Sequence, residues 1–133
     1  MYSKDKKRIT IEASMKFRDK IRTTISNLED LGFVGIFPNL DNSDENRDIA
    51  LTMGEKHQLA IDHYEAIRNS DAVYFILPKG YMGTSCKLEL GYSFALEKPI
   101  YFSEKTGDIG LDSYPKRIIS LDNLKEFKNE LSD

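Results

Sequence analysis

Glu89 is the residue of this sequence whose position best suits chemistry. It follows the segment Lys79–Ser85 (KGYMGTS), which contains two glycines, and this position predicts the first turn of a helix. The partial positive charge of a helix N-terminus would hold the carboxylate ionised. Such a carboxylate can attack a sugar carbon as a nucleophile or act as a base. The alternative is that Glu89 only stabilises the helix dipole, as acidic residues in first turns commonly do.

The loop before Glu89 has the composition of an anion site. Backbone N–H groups, the hydroxyls of Thr84 and Ser85, and the amine of Lys79 stand just before the predicted helix. A helix N-terminus of this kind suits a phosphate. The GxxxxGK[ST] and GxGxxG spacings are both absent from the sequence, so an ordinary strand-to-helix turn explains the segment equally well.

Four other side chains could assist Glu89. Glu12 lies on a strand that we expect to be covered on both faces, where a carboxylate needs a partner. It either faces Glu89 as an acid or orienting group, or it lies at a solvent-accessible strand end. Ser14 is expected to cap the first helix, and Ser14 with Lys16 could instead hold a phosphate. His63 either donates a proton to a leaving group or lies on a helix surface.

Composition excludes several classes of function. The 133 residues include 19 Lys and Arg against 22 Asp and Glu, for a net charge of −3. No general cationic field therefore attracts nucleic acid or anionic lipid. The single cysteine, Cys86, cannot form an intramolecular disulfide, and with His57 and His63 it cannot build a structural zinc site unaided. We expect a cytoplasmic protein with no metal, no nucleic-acid partner and no membrane segment, in which Cys86 is structural.

Hydrophobic spacing divides the N-terminal half into alternating strands and helices. Lys7–Ala13 alternates between apolar and polar residues, which predicts a strand. Apolar residues then recur every three or four positions from Phe17 to Leu31, which predicts a helix that ends at Gly32. Phe33–Phe37 predicts a second strand, and the polar residues 39–48 predict a surface loop.

The second half of the chain repeats this alternation. A helix is predicted from Ile49 to Ile67, with Gly54 as a weak point or break. Ala72–Leu77 (AVYFIL) is apolar throughout, which is typical of a parallel strand buried on both faces. The remaining predictions are a helix marked by Leu88, Tyr92 and Ala95, strands over Ile100–Phe102 and Arg117–Leu121, and a helix over Asn123–Leu131.

These elements predict a single α/β domain over residues 1–133. The connections favour right-handed crossovers, and therefore a five-stranded parallel sheet with helices on both faces, a flavodoxin-like three-layer sandwich of order 2-1-3-4-5. Such sheets bind ligands at the carboxyl ends of the strands where the order reverses, here between the first and third strands. Glu12, Ser14 and Glu89 all fall at that edge.

Two segments carry a resemblance to a known family. Ser70–Phe102 has an Asp-led apolar strand, a Gly-containing loop, the run Leu-Glu-Leu-Gly-Tyr-x-x-Ala and a Lys-Pro before the next strand. Ala13–Phe17 (ASMKF) is similar to the Gly-Ser-Met-Arg-Phe turn that follows the first strand in that family. Together they resemble the nucleoside 2-deoxyribosyltransferase-like superfamily, which includes deoxynucleoside 5'-monophosphate N-glycosidases.

The resemblance implies an enzyme that acts at the N-glycosidic bond of a (deoxy)nucleoside or its 5'-monophosphate. Glu89 falls on the family's nucleophile and would attack C1' to give a covalent glutamyl-sugar intermediate, which water or a second base then resolves. No cofactor is implied. A homodimer is expected, because the family closes its site with a neighbouring subunit. The residues expected to bind the substrate are Ser14, Lys16, Phe17, Gly80, Tyr81, Gly83, Thr84, Ser85, Glu12 and His63.

Three positions depart from the family pattern. Thr10, Gly83 and His63 stand where the transferases carry a tyrosine, an acidic residue and an aspartate, and Asp62 is one residue out of place. These departures favour a diverged branch. The alternative to an N-glycosidic enzyme is a non-catalytic nucleotide-binding or sensing module of the same fold. Apolar side chains that could lie at a dimer interface are Tyr81, Met82, Tyr92 and Phe94.

Overall fold

A single parallel sheet organises the fold. The computed structural model describes residues 5–40 and 52–132. The strands are β1 (Arg8–Glu12), β2 (Val34–Ile36), β3 (Ala72–Phe75), β4 (Ile100–Phe102) and β5 (Arg117–Ile118). They form one five-stranded sheet in the order β2-β1-β3-β4-β5, and every pairing is parallel. The predicted fold class and strand order are confirmed, with β3 in the centre.

Helices cover both faces of this sheet. They are α1 (Arg18–Asp30), α2 (Met53–Arg68), α3 (Thr84–Ala95), α4 (Ile109–Asp112) and α5 (Phe127–Glu130), with 3-10 helices over Met15–Phe17, Pro78–Gly80 and Leu121–Glu126. In the described ranges, no helix combines the length and apolar character needed to cross a membrane. Side chains of β3 alternate between two cores: Tyr74 packs towards α1 and α5, whereas Phe75 packs towards α2 and α3.

The same alternation orients β1. Ile9 and Ile11 enter the core under α1, so Thr10 and Glu12 point to the opposite face, under α2 and α3. Successive side chains of a strand point to opposite faces, and the period of two therefore assigns Glu12 to the same layer as Glu89. The orientation of β1 in the sheet therefore brings Glu12 and Glu89 to the same side of the sheet.

Several boundaries differ from the predictions. The predicted fifth strand, Arg117–Leu121, is reduced to β5 because its neighbour β4 ends at Phe102, whose carbonyl accepts the last sheet hydrogen bond, from Ile119 N at 2.9 Å. The predicted closing helix divides into a 3-10 helix and the short α5, and α4 was not predicted. Gly54 lies in the first turn of α2 and does not break it. Ile49 and most of the predicted 39–48 loop lie outside the described residues.

The buried face of α3 is not the one that its apolar residues suggested. Leu88 is 61% exposed, whereas the helix buries Cys86, Glu89, Leu90 and Ser93. These four are spaced at i, i+3, i+4 and i+7, which is one helical face. Ser93 is accommodated because its hydroxyl donates to the Glu89 carbonyl oxygen at 2.7 Å. A hydrophobic pattern cannot reveal a buried face that is half polar.

The loop between β3 and α3 is held against the chain that follows β4. Leu77 N donates to Ser103 Oγ at 2.8 Å. Gly80 has φ +77°, and a Cβ on it would lie 2.9 Å from the Lys105 carbonyl oxygen and 3.1 Å from Thr106 Cα. Both neighbours are backbone atoms, so only glycine permits this approach. The contact fixes the loop that leads into α3.

Replacing Gly80 should therefore destabilise the protein. Gly80→Ala adds a strained positive φ and a backbone collision, which together should cost about 1–3 kcal/mol in the free energy of unfolding, measured by urea titration. Gly91→Ala is the matched control, because no atom lies within 4 Å of a Cβ at this exposed helical position. It should stabilise the protein by about 0.5–1 kcal/mol. Equal unfolding midpoints for the two variants would contradict the account of the loop.

Candidate active site

Two glutamates meet at the carboxyl edge of the sheet. Glu12 is the last residue of β1, and Glu89 projects from α3, which begins where the β3–α3 loop ends. A carboxylate oxygen of each lies within 4.8 Å of the other, and Cys86 Sγ lies within the same distance of both. Glu12 is 1% exposed and Glu89 is 5% exposed. The alternative that Glu12 lies at a solvent-accessible strand end is wrong.

Burial raises the pKa of both carboxyl groups. Desolvation is the largest cause for each, and for Glu89 the neighbouring Glu12 raises the pKa further. Glu12 Oε2 is buried and has no hydrogen-bond partner in the part of the chain that the structure describes. One proton held between the two groups satisfies that oxygen and removes one of two like charges. Burial therefore favours the protonated form of the pair, and it raises the pKa of Glu89, to about 10, more than that of Glu12, to about 7.

The prediction that a helix N-terminus keeps Glu89 ionised is wrong. Helix α3 begins at Thr84, so Thr84 and Ser85, which the sequence placed in the loop, already belong to the helix. Glu89 therefore lies in the second turn. The influence of the helix dipole declines within the first turn, whereas desolvation acts at full strength on a buried group. Burial therefore decides the protonation state.

His63 completes the cluster. Its Nδ1 lies 3.1 Å from Glu12 Oε1, and the edge of its ring packs on Phe37 with the centroids 4.8 Å apart. The imidazole is 8% exposed, so the surface-histidine interpretation is wrong. Burial is the largest influence on its pKa and lowers it, so His63 is neutral at neutral pH. Glu12 thus lies between Glu89 on one side and His63 on the other.

A cavity of about 380 Å³ opens beside this cluster. Its predicted lining residues are Ser14, His63, Tyr81, Gly83, Thr84, Ser85 and Glu89. Glu12, Lys16, Phe17 and Gly80 do not line the cavity. Glu12 is buried and neighbours the lining residues Glu89 and His63. Gly80 packs against the backbone of Lys105 and Thr106. The remaining lining residues are Ala13, Met15, Phe37, Lys56, Leu59, Ala60, Cys86 and Leu88.

Three aromatic and basic side chains meet near the cavity entrance. The ammonium of Lys16 lies 3.9 Å from the ring centroid of Tyr81, a cation–π contact. Phe17 packs edge-on against Tyr81 with the centroids 6.3 Å apart. The β1–α1 turn and the β3–α3 loop therefore contact each other at this point. Ser14 was expected to cap the first helix, but it caps the 3-10 helix Met15–Phe17 that precedes α1, where its hydroxyl accepts a hydrogen bond from Lys16 N at 3.4 Å.

One face of α2 supplies lining residues that the sequence analysis missed. Lys56, Leu59 and Ala60 line the cavity together with His63, the one residue of this face that the sequence had indicated. Their spacing of i, i+3, i+4 and i+7 places them on one helical face. Helical spacing would have identified these residues from the sequence, because they lie three, four and seven positions before His63. Ala60 belongs to the apolar pattern that predicts α2, whereas Tyr64 and Ile67 of that pattern do not line the cavity.

The structure shows what surrounds the positions at which the sequence departs from the family pattern. Thr10 Oγ1 donates to the Ala66 carbonyl oxygen at 3.0 Å and is directed at α2, not at the cavity. A Cβ at Gly83 would lie 3.3 Å from the Tyr81 hydroxyl, so a larger side chain there would require Tyr81 to move. Asp62 accepts hydrogen bonds from Asn39 and Gln58 and does not line the cavity.

Cys86 and the two glutamates have the donor types of a cation site. Burial raises the pKa of the Cys86 thiol well above its usual value, so the thiol is protonated. A cation would have to displace that proton and the proton of the carboxyl pair. The thiol packs in the core under α3, which agrees with its interpretation as structural.

Comparisons with known proteins place the fold. No protein-family model matches the chain, and no curated protein sequence matches it significantly. Solved structures do match it. A 2-deoxyribosyltransferase from the psychrotolerant bacterium Bacillus psychrosaccharolyticus is 20% identical, with a TM-score of 0.64 over 89% of this chain and 90% of that chain.

Two further structures agree with this match. A conserved protein from Enterococcus faecalis V583 is 16% identical, with a TM-score of 0.63 over 96% of this chain and all of that chain. The Clostridium botulinum CMP N-glycosidase BcmB is 20% identical, with a TM-score of 0.53 over 94% and 97%. The chain therefore has the fold of a deoxyribosyltransferase and a nucleotide N-glycosidase, as the resemblance implied.

The buried carboxyl pair predicts a pH-dependent stability. The folded protein keeps a proton that the unfolded chain releases above pH 4.5, the ordinary value for Glu89. Stability should therefore fall as pH rises above that value. Glu89→Gln keeps the shape without needing the proton, so this variant should be the more stable at pH 8 and should lose its advantage near pH 4. Each pKa unit is worth about 1.4 kcal/mol, which corresponds to about 3–6 °C in Tm.

Thermal unfolding at both pH values checks this prediction. Glu29→Gln is the matched control, because Glu29 is exposed on α1, on the other side of the sheet. It should leave the pH dependence unchanged. A Glu89→Gln variant that is less stable than the parent protein at pH 8 would show that Glu89 is ionised in the fold.

Proposed function

We propose that this chain cleaves or transfers at the N-glycosidic bond of a (deoxy)nucleoside or its 5'-monophosphate. Glu89 is the nucleophile that attacks C1' and forms a glutamyl-sugar intermediate, and water or a second base then releases the sugar with overall retention. The observation that carries the proposal is the placement of Glu89 in the cavity wall, next to a second buried carboxyl group. Two solved structures with the same fold are enzymes of this type of chemistry.

The cavity suits a nucleoside or nucleotide in both size and lining. Its volume of about 380 Å³ lies within the range of small-molecule sites. Phe37, Leu59 and Met15 offer apolar surface for a planar base. Thr84 and Ser85 offer hydroxyls at the N-terminus of α3, where sugar oxygens or a phosphate are stabilised by the helix dipole.

We also propose that the chain acts as a homodimer. Tyr81 and Phe94, two of the residues expected at an interface, are 46% and 57% exposed, and Leu88 beside the cavity is 61% exposed. Met82 is buried in the core and is not available for an interface, whereas Tyr92 is partly exposed and packs against Tyr64. Exposed apolar side chains near an open cavity favour a neighbouring subunit that covers it.

Base release from a panel of nucleosides and 5'-monophosphates tests the enzymatic proposal. Chromatography should detect free base with the parent protein. Glu89→Gln should reduce turnover by orders of magnitude while substrate binding survives, because the amide keeps the shape but cannot attack C1'. Glu29→Gln should behave as the parent protein. Binding without base release from any compound would identify the non-catalytic module instead, and undiminished release by a folded Glu89→Gln variant would exclude Glu89 as the nucleophile.

Sedimentation velocity at micromolar concentration tests the dimer. The parent protein should sediment as a dimer, because burial of the exposed apolar residues favours association. Leu88→Glu should shift it to the monomer, since a charge in an apolar interface is costly. Lys87→Glu, a neighbouring exposed position, is the control for added negative charge. A parent protein that sediments as a monomer would exclude the dimer.

A further inference from the structure

We propose that His63 donates the proton that the departing base takes up, and that Glu12 resupplies His63 from the proton held with Glu89. This inference rests on the proposed N-glycosidic reaction and adds the route by which that reaction is balanced. It assigns a role to Glu12, which does not line the cavity, and to His63, which stands where the transferases have an aspartate.

The geometry that carries the inference is a continuous row of three side chains. A carboxylate oxygen of Glu89 lies within 4.8 Å of one of Glu12, and Glu12 Oε1 lies 3.1 Å from His63 Nδ1. His63 lines the cavity, and with Nδ1 directed at Glu12 its other ring nitrogen, Nε2, is the one that can reach a bound base. The edge contact with Phe37 holds the ring in this orientation.

Glu89 cannot attack while it carries a proton. In the reactive state the proton is on Glu12, whose carboxyl group donates a hydrogen bond to the unprotonated Nδ1 of His63. The Nε2 atom of His63 carries the imidazole proton. The bond between C1' and the base nitrogen breaks as a Glu89 oxygen bonds to C1'. The base takes the Nε2 proton, and His63 Nδ1 takes the Glu12 proton. The products are a neutral glutamyl ester, the neutral free base, neutral His63 and ionised Glu12, so the net charge is −1 before and after the step and no further reactant is needed.

Other groups near His63 do not compete for this role. Lys56 and Asp62 lie on the same helix, and Asp62 is bound to Asn39 and Gln58 outside the cavity wall. Cys86 and Glu89 face His63 from α3 and Glu12 faces it from β1, and the raised pKa of the thiol keeps Cys86 protonated. Cys86 and His63 both line the cavity beside the glutamates, and of the two only His63 lies within hydrogen-bond distance of Glu12, at 3.1 Å, in the described part of the chain.

A comparison of leaving groups tests the inference. Guanine must gain a proton to leave, whereas N7-methylguanine leaves as a neutral molecule without one, and 5-fluorouracil needs less help than uracil. Whichever pair the parent protein cleaves, as nucleoside or 5'-monophosphate, is assayed with His63→Asn and Glu12→Gln, with spontaneous loss of base subtracted. Asn keeps a hydrogen-bonding group for Glu12 but lacks the atom at Nε2. Gln keeps a partner for Nδ1 but passes no proton.

His63→Asn and Glu12→Gln should each lower kcat about 10²–10³-fold on the guanine or uracil substrate, in keeping with the usual contribution of general acids. On the matching N7-methylguanine or 5-fluorouracil substrate, the loss should be less than about tenfold. His57→Asn, an exposed histidine on the same helix, is the matched control and should match the parent protein on both. Equal losses on both substrates in folded variants would overturn the role of His63 and leave the proposed function intact. A parent protein that cleaves neither substrate would overturn the proposed function itself.

Discussion

The burial of two carboxyl groups against each other is the constraint on which the site depends. Glu12 and Glu89 come from a strand and a helix that meet only in the folded chain, and both are almost completely shielded from water. Two buried charges at this separation would strongly disfavour folding, so the pair keeps a proton at neutral pH. The fold thus holds two carboxyl groups with raised pKa values side by side at the carboxyl edge of the sheet.

The sheet topology makes this arrangement possible. Because β1 and β3 are parallel neighbours, their carboxyl ends open at the same edge, and both connecting segments begin there. The alternation along β1 turns Glu12 towards α2 and α3, while Ile9 and Ile11 fill the other core. The Gly80 backbone contact then fixes the loop from which α3 starts, so that Glu89 reaches Glu12.

The departures from the family pattern form a connected set. The Tyr81 hydroxyl lies next to Gly83, where an acidic side chain would need the same space, and Lys16 packs on the Tyr81 ring. His63 replaces an aspartate and contacts Glu12 from the cavity wall. At two positions where the resembled family has acidic residues, this chain thus has Gly83, with the Tyr81 hydroxyl beside it, and His63.

The sequence by itself determined the order of strands and helices, because apolar spacing reports which residues must leave water. It also indicated Glu89, which follows a glycine-containing loop at the predicted sheet edge. Only the tertiary structure decided that burial raises the pKa of Glu89, that Glu12 does not line the cavity and that Lys56 does. Protonation and cavity shape depend on desolvation and on contacts between residues distant in the chain, and a one-dimensional pattern records neither.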